Sequence, residues 1–240
     1  NAFDWSPDGK SIAYSFAKSP EANDNNYSDV SLIDIETDKI SPVAVTGASE
    51  STPRFSPDGK LLAYYCTTDP VDWPGAKHVK IYSLADGKLW RLKSTPDESG
   101  VILGWTPDGK NILWSEANKT LSGIYLLSVD GKNCTEWTKG ITELIQGGTA
   151  NVNGTHLTFI LQNPSKFPEA YISPVGQFTP VQLTNLHAGN AGKALPKTEL
   201  IRWKGADGMM IEGLLTYPIG YQPGQKVPFI LNIHGGPAGV

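Results

Sequence analysis

A six-residue pattern, aromatic-Ser/Thr-Pro-Asp-Gly-Lys, occurs three times at a fixed spacing and constrains the fold of the chain more than any other feature. The copies cover residues 5–10, 55–60 and 105–110, and a weaker fourth copy surrounds Gly154. The corresponding glycines, Gly9, Gly59, Gly109 and Gly154, are 50, 50 and 45 residues apart. A period of this size predicts a repeat architecture.

Each copy of the pattern predicts a tight turn between two antiparallel strands. Ser or Thr opens the turn with a side-chain hydrogen bond, Pro presets φ near −65°, and Gly adopts φ > 0 where the chain reverses. An alternating apolar segment follows each turn, and two more β-rich segments follow it, as in residues 78–84 and 88–92. Four short strands per repeat are typical of β-propeller blades.

The spacing predicts four blades, over about residues 1–46, 49–94, 99–140 and 145–185. A β-sandwich would contain similar strands, but it gives no reason for the same turn to recur at a fixed interval. The chain begins at Asn1 without Met or a signal peptide, and it ends abruptly at Val240. We therefore expect that both ends are cuts and that the complete ring has more than four blades.

The repeated side chains suit structural roles better than chemical ones. We expect the aspartates to form the turns rather than to bind metal, and the aromatic residues to pack between blades rather than to stack on sugars or bases. The aspartates are Asp8, Asp58 and Asp108, and the aromatic residues are Trp5, Phe55 and Trp105. No metal ion or cofactor is expected.

Charge and hydropathy exclude several classes of partner. The 240 residues include 20 basic and 24 acidic side chains without a run of like charge, so neither nucleic acid nor an anionic membrane surface is expected as a partner. No apolar stretch approaches the roughly 18 residues that a membrane-spanning helix needs. Cys66 and Cys134 lack the spacing of metal ligands, and we expect both to be free thiols, with a disulfide between them as the alternative. The two cysteines do not indicate whether the protein resides in an oxidising or a reducing compartment.

The character of the chain changes after residue 185. Residues 186–197 are expected to form a linker, and residues 198–240 are expected to begin a second domain. There, residues 198–204 and 209–218 predict a hairpin around the turn Gly205–Gly208. The apolar run Val227–Ile233 predicts a buried strand that ends in a tight His-Gly-Gly loop at residues 234–236.

Together these motifs resemble one family of enzymes. The repeated Trp-Ser-Pro-Asp-Gly-Lys, then Arg-Trp-Lys (202–204), Ile-Glu-Gly (211–213) and His-Gly-Gly-Pro (234–237), are similar to the prolyl oligopeptidase family of serine peptidases, and most to its acylaminoacyl-peptidase and dipeptidyl-peptidase-like branches. The fold class expected is mainly β: the C-terminal part of a β-propeller followed by the first strands of an α/β-hydrolase domain. The blade motif by itself is weakly specific, because binding propellers of the TolB type share it.

The resemblance implies a Ser/Asp/His hydrolase with an oxyanion hole. It assigns one oxyanion donor to the backbone N–H of Gly236, with Gly235 as the neighbouring candidate, because glycine lets the backbone approach the substrate. His234 is expected to shape this loop, since the catalytic base follows the nucleophile in this fold. No Gly-x-Ser-x-Gly occurs in the chain, so the triad is expected beyond Val240 and the chain alone is predicted to be inactive.

The substrates that the resemblance implies are short peptides, with the propeller limiting entry to the active site. Two alternatives remain: a TolB-like binding propeller with a degenerate hydrolase module, and a propeller-fused esterase. The sequence does not decide between exopeptidase and endopeptidase activity. A homo-oligomer is possible, and the protein could be located in the cytoplasm or in the bacterial periplasm. The other histidines, His78, His156 and His187, are assigned no chemistry.

Overall fold

The computed structural model describes residues 2–21, 24, 26–71, 76–190 and 192–233. They form four four-stranded sheets and one separate hairpin, with all neighbouring strands antiparallel. Blade 1 consists of β1 (Phe3–Trp5), β2 (Ser11–Ala17), β3 (Ser28–Asp34) and β4 (Ile40–Ala44). Blade 2 consists of β5 (Glu50–Phe55), β6 (Leu61–Cys66), β7 (His78–Ser83) and β8 (Leu89–Arg91).

Blades 3 and 4 repeat the same arrangement. Blade 3 consists of β9 (Val101–Trp105), β10 (Asn111–Asn118), β11 (Leu121–Ser128) and β12 (Cys134–Glu136). Blade 4 consists of β13 (Leu144–Ala150), β14 (His156–Asn163), β15 (Lys166–Pro174) and β16 (Val181–Gln182). Each strand pairs with the next one along the chain, so every sheet is a simple meander. The prediction of propeller blades, and of four of them, is confirmed.

The repeated turns form as their residues predict. In blade 2 the Ser56 hydroxyl donates to the Asp58 carboxylate over 2.7 Å and accepts from the backbone N–H of Leu61 over 2.9 Å. Gly59 adopts φ = +70°, the left-handed conformation that glycine takes without a steric penalty. The same hydrogen bonds recur around Asp8 and Asp108. The aspartates therefore hold the turns in shape.

The aromatic residue before each turn packs against the preceding blade. Phe55 is 7% exposed and Trp105 is 5% exposed, and each lies in a core cluster shared with the blade before it. Trp5 differs: it is 51% exposed, because β1 is the first described strand and no described blade precedes it. The inter-blade role expected of the three aromatic residues therefore holds for Phe55 and Trp105, but not for Trp5.

Both cysteines are free thiols. Cys66 is buried in the core between blades 1 and 2, and Cys134 is half-buried beside the core between blades 2 and 3. Burial raises the pKa of both thiols. The disulfide alternative is therefore wrong, and the two residues fill space as small apolar groups.

A hairpin follows the last blade. The connecting segment contains a short 3₁₀ turn at Ala188–Asn190, and the hairpin consists of β17 (Thr198–Lys204) and β18 (Met210–Thr216). The two strands pair only with each other among the described residues. In that same part of the chain, no helix is long and apolar enough to span a membrane.

Candidate functional site

The predicted oxyanion loop cannot be placed. His234, Gly235 and Gly236 lie outside the described residues. The described part of the chain contains the elements that lead to this loop: the connection from blade 4, the hairpin, and the segment that follows it.

The apolar run Val227–Ile233 is not a strand, and this part of the prediction is wrong. The run has no regular structure, and its large apolar side chains are exposed, with Phe229, Ile230 and Ile233 the most exposed of them. A β-rich composition forms a strand only when a neighbouring strand completes its hydrogen bonds. Since β17 and β18 pair with each other, the described chain offers no partner to this run.

The hairpin forms because its turn and its cross-strand pairs agree. Gly208 adopts φ = +83° at the reversal, and the Asp207 carboxylate accepts a hydrogen bond from the N–H of Met209 over 3.0 Å. The register places Arg202 opposite Glu212 and Trp203 opposite Ile211. The hairpin predicted from the sequence is therefore present.

The Ile-Glu-Gly motif has a steric basis in the hairpin. A Cβ atom at Gly213 would lie 3.1 Å from the Trp203 ring, which is closer than an ordinary van der Waals contact. Glycine therefore leaves room for the Trp203 ring beside β18. This packing accounts for the combination of Trp203 with Gly213.

The glutamate of the same motif links the hairpin to blade 3. Glu212 Oε1 accepts a hydrogen bond from Arg202 Nε over 2.7 Å and lies 3.7 Å from Lys119 Nζ, and Oε2 accepts from the Thr120 hydroxyl over 3.4 Å. The hydrogen bond from Arg202, together with the positive charges of Arg202 and Lys119, lowers the pKa of Glu212. Lys119 and Thr120 form the turn between β10 and β11.

A second carboxylate fixes the start of the connecting segment. Glu169 in β15 accepts hydrogen bonds from the backbone N–H groups of Leu186 and His187, each over 3.0 Å, and from the Thr184 hydroxyl. Led by the bond from Thr184, these donors lower the pKa of Glu169 to about 2. The His187 ring approaches the same carboxylate at 3.2 Å and stacks on Phe167. His187 therefore has a structural contact, which the sequence did not indicate.

Glu169 belongs to a recurring arrangement of threonines and glutamates that the sequence motifs do not reveal. A threonine follows the outer strand of a blade and donates to a buried carboxylate: Thr46 to Glu50, Thr95 to Glu116, and Thr184 to Glu169. Burial raises the pKa of Glu50, whereas the donors around Glu169 lower its pKa. The regular recurrence of threonine after each outer strand was the available sequence signal. The glutamates come from different strands and show no common spacing.

A cavity of about 370 Å³ lies on blade 4, but its lining matches a surface for blade packing. It is lined by Thr149, Ala150, Asn151, His156, Thr158 and Ile172. The register pairs Thr158 with Ile172, as it pairs Ala63 with Ile81 in blade 2. Ala63 and Ile81 belong to the core cluster that contains Trp105 of the next blade. The cavity therefore corresponds to the face on which a blade receives a neighbouring aromatic side chain.

Among the described residues, no group of three or more His, Cys, Asp or Glu side chains is arranged to hold a metal ion. The features that the structure brings together are four propeller blades, a connection anchored to blade 4, and a hairpin joined to blade 3. They define a propeller-type protein in which a β-hairpin outside the blade repeat is attached to blade 3.

The sequence of the chain is similar to the sequences of curated peptidases. A protein of Emericella nidulans named probable dipeptidyl-peptidase 5 is 24% identical over 262 residues, which cover 99% of this chain and 35% of the relative. Dipeptidyl-peptidase 5 of Aspergillus fumigatus is 25% identical over 269 residues, with the same coverage. The chain thus spans about a third of the length of these curated relatives. No family model matches the chain.

Solved structures agree in fold. A puromycin-hydrolysing peptidase of Mycobacterium tuberculosis superposes with a TM-score of 0.63 at 14% identity, covering 95% of this chain and 35% of that protein. TolB of Acinetobacter baumannii superposes with a TM-score of 0.58 at 19% identity, covering 92% of this chain and 55% of that one. The expected resemblance to peptidases of the prolyl oligopeptidase family is confirmed, and the TolB match shows that the propeller fold is shared more widely.

Proposed function

We propose that this chain is part of a serine peptidase that hydrolyses short peptides. Residues 1–185 form part of its propeller, residues 186–197 are the linker, and residues 198–240 begin its α/β-hydrolase domain. No cofactor takes part in the proposed reaction. The catalytic serine, aspartate and histidine come from sequence beyond Val240.

One observation carries the proposal. The similarity to dipeptidyl-peptidase 5 extends over 99% of the chain, so it includes the blades and the hairpin in the same order. Blades alone would be equally compatible with a binding protein. The hairpin with its Ile-Glu-Gly motif, followed by His-Gly-Gly-Pro, favours the peptidase.

The proposed chemistry assigns a limited role to this chain. The serine attacks the scissile carbonyl while the histidine takes its proton, and two backbone N–H groups stabilise the resulting oxyanion. One of these donors is the N–H of Gly236, with Gly235 as the neighbouring candidate. Losing one such donor lowers kcat by roughly 10²–10³ in serine hydrolases.

The full-length protein tests the proposal when it is assayed on dipeptidyl, aminoacyl and acyl-aminoacyl chromogenic substrates. The expected result is cleavage of at least one class, abolished by a serine-directed phosphonate. Cleavage that survives the phosphonate would refute a serine mechanism. The substrate class that is cleaved fastest would show whether the enzyme releases dipeptides or acylated amino acids.

A second candidate function is peptide or protein binding by a TolB-like propeller that carries a degenerate hydrolase module. The structural match to TolB favours it, since that match covers most of the chain. A folded full-length protein that cleaves no substrate would support this function. A propeller-fused esterase, the third alternative, would cleave acyl esters with higher kcat/KM than peptides.

A further inference from the structure

The contact between the hairpin and the propeller converges on one side chain. Between described residues, every hydrogen bond and ion pair that joins β17 or β18 to a blade ends on Glu212. The other polar contacts of the hairpin stay within it or reach its flanking residues, as in the bond from the Tyr217 hydroxyl to Glu199. Glu212 is therefore the polar connection between the two parts.

The two oxygens of this carboxylate face different groups. Oε1 is held inside the hairpin by Arg202 and also faces Lys119, while Oε2 accepts from Thr120. The Glu212 side chain is only 9% exposed, whereas the side chains of Arg202 and Lys119 are 59% and 67% exposed. Water screens the two cations, so each ion pair contributes a modest attraction. Arg202 fixes the orientation of the carboxylate, and the blade supplies a cation and a hydroxyl that fit it.

The turn that carries the two blade groups is itself well defined. It joins two eight-residue strands that are paired along their full length, Asn111–Asn118 and Leu121–Ser128. Lys119 adopts φ = +58°, an unusual conformation for a residue with a Cβ atom. A turn held by long paired strands is a firm point of attachment for the hairpin.

We propose that Glu212 is a positioning residue that fixes the hairpin against the β10–β11 turn of blade 3, and so sets where the chain begins its approach to the His-Gly-Gly-Pro loop. The catalytic consequence rests on the proposed peptidase function, whereas the placement of the hairpin does not. This proposal explains the glutamate of the Ile-Glu-Gly motif, just as Trp203 packing explains its glycine.

A competing explanation is that Glu212 only stabilises the hairpin through its cross-strand partner Arg202. Lys119 separates the two explanations, because it belongs to the blade and makes no contribution to the hairpin's own pairing. Lys119→Glu places a negative charge beside Glu212 and disrupts the attachment alone. Lys119→Arg preserves the charge and serves as the conservative rescue.

The placement is tested by distance measurement between two spin labels in the chain. One label replaces Ala206 in the hairpin turn and the other replaces Lys132 in an exposed turn of blade 3, with Cys134→Ser to remove the accessible thiol. A single narrow distance is expected for the parent chain and for Lys119→Arg. Glu212→Gln and Lys119→Glu should lose it and give a broad distribution.

Glu199→Gln is the matched control. Glu199 lies on the same hairpin and pairs with Lys197 and Tyr217, without a polar contact to a blade. This variant should keep the narrow distance. If Glu212→Gln and Lys119→Glu also keep it, the proposal is overturned.

Kinetics of the full-length protein test the catalytic consequence. Glu212→Gln and Lys119→Glu should lower kcat by about two- to five-fold, the range expected when a charge pair of this kind is lost, with KM little changed. Lys119→Arg and Glu199→Gln should match the parent protein. If the full-length protein cleaves nothing but the label distances change as expected, the peptidase function is refuted and the placement of the hairpin by Glu212 is supported. If the enzyme is active and the label distances are the same in all variants, the placement of the hairpin by Glu212 is refuted.

Discussion

The indole N–H of Trp105 donates a hydrogen bond to the backbone carbonyl of Arg54, 3.1 Å away, across the boundary between blades 2 and 3. Its ring lies in the core cluster that the two blades share. The first residue of the repeated turn pattern therefore joins blade 3 to blade 2 through Trp105, and Phe55 packs blade 2 against blade 1. The turn pattern shapes each blade and also ties successive blades together.

Truncating this residue should strongly destabilise the chain. Trp105→Ala removes a buried ring and leaves a cavity, and we expect it to cost about 3–5 kcal/mol of unfolding free energy. Trp5→Ala is the matched control, since Trp5 occupies the same position of the repeat but is half-exposed; its cost should be about 1 kcal/mol or less. Urea unfolding followed by far-ultraviolet circular dichroism measures both. Equal losses would show that Trp105 does not join the blades as described.

Substitution of the turn glycines should destabilise the chain because these residues adopt positive φ angles. Gly9 has φ = +72° and open space around it, so Gly9→Ala meets no steric obstacle beyond its own backbone. Forcing alanine into this conformation should cost about 1–2 kcal/mol. Gly176→Ala is the control, because Gly176 also lies in open space but has no positive φ; its effect should stay within about 0.5 kcal/mol. Thermal unfolding of both variants measures these changes. A Gly9→Ala variant as stable as the parent chain would contradict the turn geometry.

Acid should weaken the anchoring of the connecting segment. The hydrogen bonds that Glu169 accepts from Thr184, Leu186 and His187 lower its pKa from 4.5 to about 2 in the folded chain. Between these two pH values the unfolded chain binds the proton more readily, so lowering the pH favours unfolding. The stability that the carboxylate contributes is therefore complete above about pH 4.5 and is lost as the pH falls towards 2.

The comparison with Glu169→Gln isolates this effect, because the other carboxylates titrate in both proteins. The parent chain should be more stable than the variant above pH 4.5, and the difference should shrink steadily down to about pH 2. Urea midpoints measured across this range provide the test. A difference that is independent of pH would mean that the ionised carboxylate does not hold the segment.

The sequence predicted the blades because their determinants are local. Ser56, Pro57, Asp58 and Gly59 act within one turn, and the hydrogen bonds between Ser56, Asp58 and Leu61 span at most five residues. Repetition of the turn at a fixed interval then identified the propeller. The hairpin was predicted for the same reason, since its glycine and aspartate act within the turn.

The features that the sequence did not predict depend on residues far apart in the chain. The run 227–233 has the composition of a strand, but a strand also needs a partner, which composition does not reveal. Thr120 meets Glu212 across 92 residues, and Glu169 meets His187 across 18. The exposure of Trp5 likewise depends on a neighbouring blade, since its motif differs from that of Trp105 only by Ser6 in place of Thr106.

Serine-directed activity-based probes should not label the 240-residue chain. It contains no Gly-x-Ser-x-Gly nucleophile motif, and oxyanion donors without a nucleophile form no acyl-enzyme. A fluorophosphonate probe read out by intact-mass spectrometry measures this, with a known serine hydrolase as the positive control. Stoichiometric labelling would place the nucleophile inside this chain and overturn the proposed division of the active site.

The decisive test of a propeller-bearing serine peptidase is the rate at which the full-length protein cleaves dipeptidyl and acyl-aminoacyl chromogenic substrates before and after phosphonate treatment. We expect measurable cleavage that disappears as one serine per molecule is modified. A folded full-length protein that cleaves none of these substrates, or that cleaves them equally well after treatment, would contradict it.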